Sequence, residues 1–200
     1  VVTPAPIVVS VNVGTPREVS WTRGRRTAIQ KDPVTGRVAV RSLGLDGDQV
    51  SNRKHHGGVD KAVYAFARED LDLWGRELGR DLPDGFFGEN LTTSGIDVNE
   101  AEIGERWLIG SAELEVAGIR TPCQTFSSWL RVNGLDNRGW ARRFSEAARP
   151  GPYLRVVVEG EVAAGDEIRV VHRPGHGVTV SAMFRRLVSK SVLATRELES

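Results

Sequence analysis

A single cysteine, Cys123, stands among 200 residues, so no internal disulfide can form. Its solitude fits a reducing compartment, and the expected location is the cytoplasm. No apolar run approaches the roughly 20 residues that a membrane-crossing helix needs. The opening Val1-Val2-Thr3-Pro4-Ala5-Pro6 has neither the basic start nor the apolar middle of a signal peptide, and it has no initiator Met, as expected of a processed or trimmed chain. Charge is balanced too: 27 Lys and Arg against 26 Asp and Glu leave a formal net charge of +1. That balance gives no support for a nucleic-acid or membrane-surface role, and clusters such as Arg23, Arg25, Arg26 and Arg142, Arg143 read as solvated charge. Common catalytic signatures are missing: no P-loop, H-E-x-x-H, G-x-S-x-G, paired C-x-x-C or Rossmann fingerprint occurs. One cysteine and four histidines leave little for a structural zinc site.

What is present suits one sizeable domain, able to bury about 70% of its unfolded surface. Ile7-Val8-Val9-Ser10-Val11-Asn12-Val13 is β-branched and apolar, a first strand closed by Gly14-Thr15-Pro16. Short strands are expected near 17–21, 26–30 and 37–42, with a hairpin-type turn over 32–36 and a Gly- and Asp-rich loop over 44–60. A strand resumes over 61–67. Leu71, Trp74 and Leu78 at helical spacing, ended by Gly79, predict a helix over 69–79. Strands follow near 88–93, 105–109, 112–118, 153–158 and 167–171, with a second helix over 138–148 and a turn-rich link over 160–166. Many short strands and few helices predict a mainly β fold, a closed or nearly closed β-barrel over 1–175. A short helical tail occupies 176–200, with Ser181 as its expected N-cap.

The chemistry centres on Gly118-Ile119-Arg120-Thr121-Pro122-Cys123-Gln124. An alternating strand precedes it and a short helix follows. Thr121 and Gln124 fit a capping box, and Pro122 falls at the first helical position. Cys123 is then expected in the first helical turn, beside free backbone N–H groups and the Arg120 charge. Such surroundings favour thiolate over thiol and make a nucleophile or a soft-metal ligand. Inert burial of a lone cysteine is the competing reading.

Two further segments hold candidate site residues. In Gly44-Leu45-Asp46-Gly47-Asp48-Gln49 and His55-His56-Gly57-Gly58-Val59-Asp60-Lys61, the paired glycines let backbone N–H groups approach an anion, and Lys61 adds charge for a phosphate. His55 and His56 point opposite ways on an extended chain, so they suit one metal poorly; solvation is the alternative for each. In Phe87-Gly88-Glu89-Asn90-Leu91-Thr92-Thr93, Glu89 and Asn90 enter a strand either as a structural hydrogen-bond pair or as ligand contacts. Arg155 sits on a Val-rich strand, exposed or, if it faces the core, in need of a partner.

Together these segments resemble the MOSC domain family, named after the C-terminal part of molybdenum-cofactor sulfurases, and within it the small stand-alone, YiiM-like branch. The resemblance rests on Gly44–Gln49, on His56-Gly57-Gly58-Val59-Asp60-Lys61-Ala62-Val63 and on Gly88-Glu89-Asn90-Leu91. It continues through Ile103-Gly104-Glu105, Arg120-Thr121-Pro122-Cys123, Gly151-Pro152-Tyr153-Leu154-Arg155-Val156 and Gly160–Asp166, in family order over about 7–173. It implies that Cys123 ligates molybdenum in a pyranopterin cofactor. Lys61, Arg120, Arg155 and the Gly57-Gly58 backbone would hold the anionic tail, Asp48 and Asn90 would add contacts, and His55, His56 and Asp46 would line the mouth. The implied activity is reduction of N-hydroxylated compounds such as hydroxylaminopurines and amidoximes by oxygen removal at molybdenum, with His55 and His56 beside Cys123 as catalytic candidates. With no iron–sulfur cysteines and no flavin fingerprint, electrons would come from a separate reductase. The alternative is a non-catalytic carrier of cofactor or sulfur using the same thiol. A third reading, metal-assisted hydrolysis by His55 or His56 with Asp46 and Asp48, suffers from poor ligand spacing. The family's small helical extension is shortened here to about one helix.

Overall fold

The computed structural model describes residues 5–22, 26–51 and 57–198. Its framework is an eight-stranded mixed sheet. The strands that build it are β1 (Ile7–Val13), β4 (Asp32–Pro33), β7 (Val63–Ala67), β8 (Leu91–Ser94), β9 (Arg106–Ile109), β10 (Ala112–Ile119), β11 (Pro152–Val158) and β13 (Ile168–His172). They lie in the order β13-β9-β10-β11-β7-β8-β1-β4. Short strands β5 (Val38–Arg41), β6 (Gly44–Leu45) and β12 (Gly160–Val162) form a second, three-stranded sheet, and β2 (Arg17–Glu18) pairs with β3 (Arg26–Thr27). All ladders are antiparallel except β7 with β8, which are parallel and joined through helix α1 (Arg68–Leu78). A parallel pair needs such a crossover.

Expected strands and helices recur within a few residues of the read boundaries, apart from the short strand at Gly44–Leu45 and the 3-10 turn Val59–Lys61 inside the expected loop. Four larger differences stand out. The sheet does not close into a continuous barrel among the described residues. Its first strand meets the approach to β13 through one bridge, Ile7 to Glu167, and the bonds Val8 N–H to Asp166 O (2.9 Å) and Ile168 N–H to Pro6 O (2.8 Å). Gly165 N–H adds a bond to Val8 O (2.8 Å), and the pairing ends in that tight turn, where the Asp166 carboxylate accepts from Ala163 N–H at 2.8 Å. The fold is therefore mixed α/β and strand-rich rather than a closed barrel. Second, Asp32-Pro33 is not a hairpin turn but an edge pairing with Asn12 and Val13, a place where proline's missing N–H is tolerated. Third, the turn-rich link over 160–166 contributes strand β12. Fourth, the tail helix α4 (Val180–Leu198) starts one residue before Ser181, and Thr179 Oγ1 caps it by accepting from Ala182 N–H at 3.1 Å.

β7 divides the interior in two. Its residues are all buried, and period-2 alternation sends Val63, Ala65 and Ala67 to one side and Tyr64 and Phe66 to the other. The first side is an aliphatic core with Val11, Leu91, Leu114 and Leu154. The second is aromatic and lies beneath α1, α2 (Gln124–Val132) and α3 (Trp140–Ala147). There Phe66 stacks on Phe87 at 4.4 Å, and Phe87 meets Phe126 at 4.6 Å. Each large side chain buried this way contributes about 1.5–3 kcal/mol. Gly79, in the left-handed conformation at φ 73°, ends α1 as its sequence position predicts.

Candidate functional site

Strand β10 buries Ala112, Leu114 and Val116 on alternate positions and then leaves the sheet at Arg120. The chain turns through Thr121 and Pro122 into α2. Cys123 is the N-cap of that helix, extended at φ −135°, and its Sγ accepts a hydrogen bond from Phe126 N–H at 3.4 Å. The predicted capping box is not the cap: Thr121 and Gln124 are exposed, and the sulfur itself occupies the capping role. The helix thus begins one residue after the cysteine rather than before it. Cys123 is half-buried, packed at the edge of the aromatic core and not sealed within it.

A cleft of about 10 Å³, room for about one water, opens at the sulfur between Arg120, Tyr64, Phe126 and Trp140. Arg120 spans it. Its Cζ lies 4.9 Å from the centre of the Tyr64 ring, and its Nη1 donates to Tyr153 Oη at 3.4 Å. Burial works against the guanidinium charge, but Tyr153, Tyr64 and Cys123 outweigh it and hold Arg120 above its ordinary range. Burial raises the Tyr64 phenol well above its usual value, and its hydroxyl donates to Pro150 O at 2.7 Å. Lys61 Nζ stands 5.8 Å over the Tyr153 ring, extending the row of cations and aromatic rings.

Behind Tyr64 runs a buried polar network. Asn90 Oδ1 accepts from Tyr64 N–H at 3.1 Å, and Asn90 Nδ2 donates to Asp48 Oδ2 at 2.9 Å. Asp48 Oδ1 accepts from Gly14 N–H at 2.8 Å and pairs with the buried Lys31 ammonium. Burial lowers the Lys31 pKa despite the opposing Asp48 charge, and Arg120 adds to the lowering. Glu89 is fully buried beside this network. One oxygen accepts from Gly85 N–H (2.6 Å) and Thr92 Oγ1 (2.9 Å), while Oε2 has no partner among the described residues. Burial pushes its carboxyl up to about 7.

The structure brings Cys123 and Arg120 together at the cleft, with Asp48 and Asn90 joined in the layer behind. Arg155 is exposed and paired with Asp60 (2.7 Å) and Glu115 (3.4 Å). Gly58, at φ 102°, starts the short 3-10 turn Val59–Lys61, with Gly57 half-buried before it. Asp46 is exposed, 4.0 Å from Arg41. His55 and His56 lie outside the described residues. Sequence reading missed Lys31, Tyr64 and Tyr153 as members of this constellation. Tyr64 and Tyr153 carried a signal, being directly opposite in the β7–β11 register, but only once that pairing was known.

No group of three or more His, Cys, Asp or Glu side chains is placed to hold a metal ion among the described residues. A metal at Cys123 would bring its remaining ligands with it, as a pyranopterin dithiolene does. One half-buried sulfur beside the Arg120 guanidinium suits an anionic group of that kind in its chemistry. The cleft as it stands has room for about one water, so such a group would sit over its mouth and not inside it. The MOSC domain model matches residues 52–169, which run from before β7 to the first residues of β13 and include all of the cleft. This chain belongs to the MOSC domain family. Among its MOSC relatives, Protein YiiM of Escherichia coli (strain K12) is 28% identical over 166 residues, covering 82% of this chain and 72% of that protein. A protein named Reductase from Gibberella moniliformis is 29% identical over 180 residues, covering 86% of this chain but 30% of its own length. The crystal structure of YiiM from Geobacillus stearothermophilus superposes with a TM-score of 0.74 at 25% identity, over 98% of this chain and 91% of that one. Among the described residues no helix is long and apolar enough to cross a membrane.

Proposed function

We propose that this MOSC protein holds a molybdenum cofactor through Cys123 and reduces N-hydroxylated small molecules. The observation that carries the reading is the half-exposed Cys123 sulfur at the start of α2, with the Arg120 guanidinium beside it. When bound, the cofactor supplies two-electron oxygen-atom chemistry at the metal. The chain's part is to ligate and position. Cys123 offers one soft ligand at a helix N-terminus, which favours negative charge. Arg120 and Lys61 hold the anionic periphery and the Gly57-Gly58 backbone extends that surface, while Arg155, paired with Asp60 and Glu115, would join only by giving up those carboxylates. The aromatic side of the cleft, with Phe126 and Trp140, limits water near the sulfur. The fungal relative named Reductase supports a reductive role, and the much greater length of that protein leaves room for an electron-transfer part that would act here as a separate protein.

The test is the metal and pterin content of protein freshly isolated from cofactor-competent cells, wild type against Cys123→Ser. Serine also caps helices, so the variant is expected to fold normally, shown by circular dichroism, while losing molybdenum. Retention of metal by the variant would sink the reading. A loaded wild type that transfers cofactor in stoichiometric amount, yet never consumes hydroxylaminopurine with a competent electron donor, would make it a carrier instead.

A further inference from the structure

A second pocket, sharing no lining residue with the cysteine cleft, lies against the tail helix. It has a volume of about 470 Å³, within the roughly 300–1,000 Å³ typical of small-molecule sites. One wall is the apolar stripe Met183 and Leu187 on α4, four residues apart and both exposed. The opposite wall is Ile103 and Val178, and the end of β10 contributes Ile119.

That opposite wall is built rigidly. Ile103 N–H donates to Val178 O at 3.0 Å, and His176 Nε2 bonds Ile103 O at 2.8 Å. Glu102 holds the same loop by accepting from Gly175 N–H (2.6 Å) and Gly177 N–H (3.1 Å). Fully buried Glu105 anchors its start through Arg173 Nε at 2.6 Å. The walls therefore stand without a ligand. Their lining is apolar except for His176 and Arg186. His176 has both ring nitrogens engaged, with Nδ1 accepting from Val178 N–H at 3.0 Å. Arg186, exposed at the rim, makes no ion pair among the described residues. The Glu102 carboxylate is turned onto the Gly175 and Gly177 N–H groups, with His176 Nδ1 4.0 Å away, and makes no ion pair with Arg186.

We propose that this pocket binds an amphipathic monoanion, a medium-chain carboxylate whose tail lies along Met183, Leu187 and Ile119 and whose head meets Arg186. Apolar burial supplies the affinity, and the Arg186 guanidinium selects an acid over the matching alcohol.

Isothermal titration calorimetry of the full chain with octanoate and octan-1-ol tests this. One octanoate per chain is expected, with octan-1-ol about tenfold weaker, the scale of one charge-assisted hydrogen bond. Arg186→Gln is expected to erase that difference, and Leu187→Glu to weaken both ligands. Both residues are exposed, so thermal unfolding should change little. Cys123→Ser should bind octanoate as the wild type does, which separates this site from the cleft. Equal affinity for acid and alcohol, an unchanged Arg186→Gln, or a concentration-dependent dimer that blocks octanoate would overturn the proposal.

Discussion

Arg120 stands over Tyr64, its Cζ 4.9 Å from the ring centre, and Tyr64 is itself fixed at both ends. The Tyr64 backbone N–H donates to Asn90 Oδ1 at 3.1 Å and its hydroxyl to Pro150 O at 2.7 Å. A flexible cation three residues before the cysteine is thus held by a ring on a fully buried strand. The position of the positive charge is set by the sheet, not by the loop that carries it.

Replacing Arg120 tests that relationship. A planar guanidinium stacks and donates at once, whereas an ammonium is a point charge on a flexible stem. Arg120→Gln is expected to cost about 1 kcal/mol of folding stability, the scale of a partly buried cation–π contact. Cofactor retention should fall far more, with Arg120→Lys intermediate. Urea denaturation and metal analysis on the same samples check both. Full metal retention in Arg120→Gln would show that this charge holds nothing.

Local periodicity made much of the fold legible. Leu71, Trp74 and Gly79 mark α1 at both face and end, and the alternation of Ala112, Leu114 and Val116 marks β10. Cys123 lies two residues from the helical position the capping box implies, close because proline and a polar turn precede a helix start, and displaced because the sulfur itself takes the cap. Tertiary choices carried no such mark. Lys31 and Asp48 are seventeen residues apart, and nothing local says that one buries against the other. The parallel pairing of β7 with β8, and the stop at Asp166 that leaves the sheet open, depend on which edges meet in space.

The Lys31–Asp48 pair yields an asymmetric prediction. Asp48→Ala strands a buried ammonium and removes the acceptor of Gly14 N–H and Asn90 Nδ2. Breaking a buried pair this way costs about 3–5 kcal/mol. Lys31→Met should cost clearly less, since Asp48 keeps those two donors. Equilibrium unfolding of the two variants ranks them, and the reverse order would contradict the network drawn behind Tyr64.

Gly151 ties the cleft to β7, since its carbonyl accepts from Arg120 N–H at 3.4 Å. It sits at φ 68°, and an added Cβ would stand 2.4 Å from Ala65 O. Gly165, at φ 90°, has nothing within 4 Å of the same atom. Gly165→Ala therefore reports backbone strain alone, about 1 kcal/mol, whereas Gly151→Ala adds a backbone clash that no side chain can relieve. Thermal melts should show the second variant much less stable than the first. Similar melts would mean that the close approach of Gly151 to β7 is not rigid.

Glu89 makes stability depend on pH in the direction opposite to most carboxylates. Its folded value is about 7 against an ordinary 4.5, because burial disfavours the charge and Oε2 finds no donor. Below about pH 4.5 the group is protonated in both states. Between there and about pH 7 the unfolded chain loses its proton while the folded chain keeps it, so rising pH favours unfolding. Above that window both states are ionised and the penalty is constant. The full swing is on the order of 3 kcal/mol, from 1.36 kcal/mol per unit. Glu89→Gln cannot ionise, so its stability relative to wild type should rise by about that amount between pH 4.5 and 7.5, whatever its absolute value. Other titrating groups are shared by the two proteins and cancel in the difference. Parallel pH curves from urea denaturation would mean that Glu89 ionises in the fold as easily as in water, and that a donor reaches Oε2 after all.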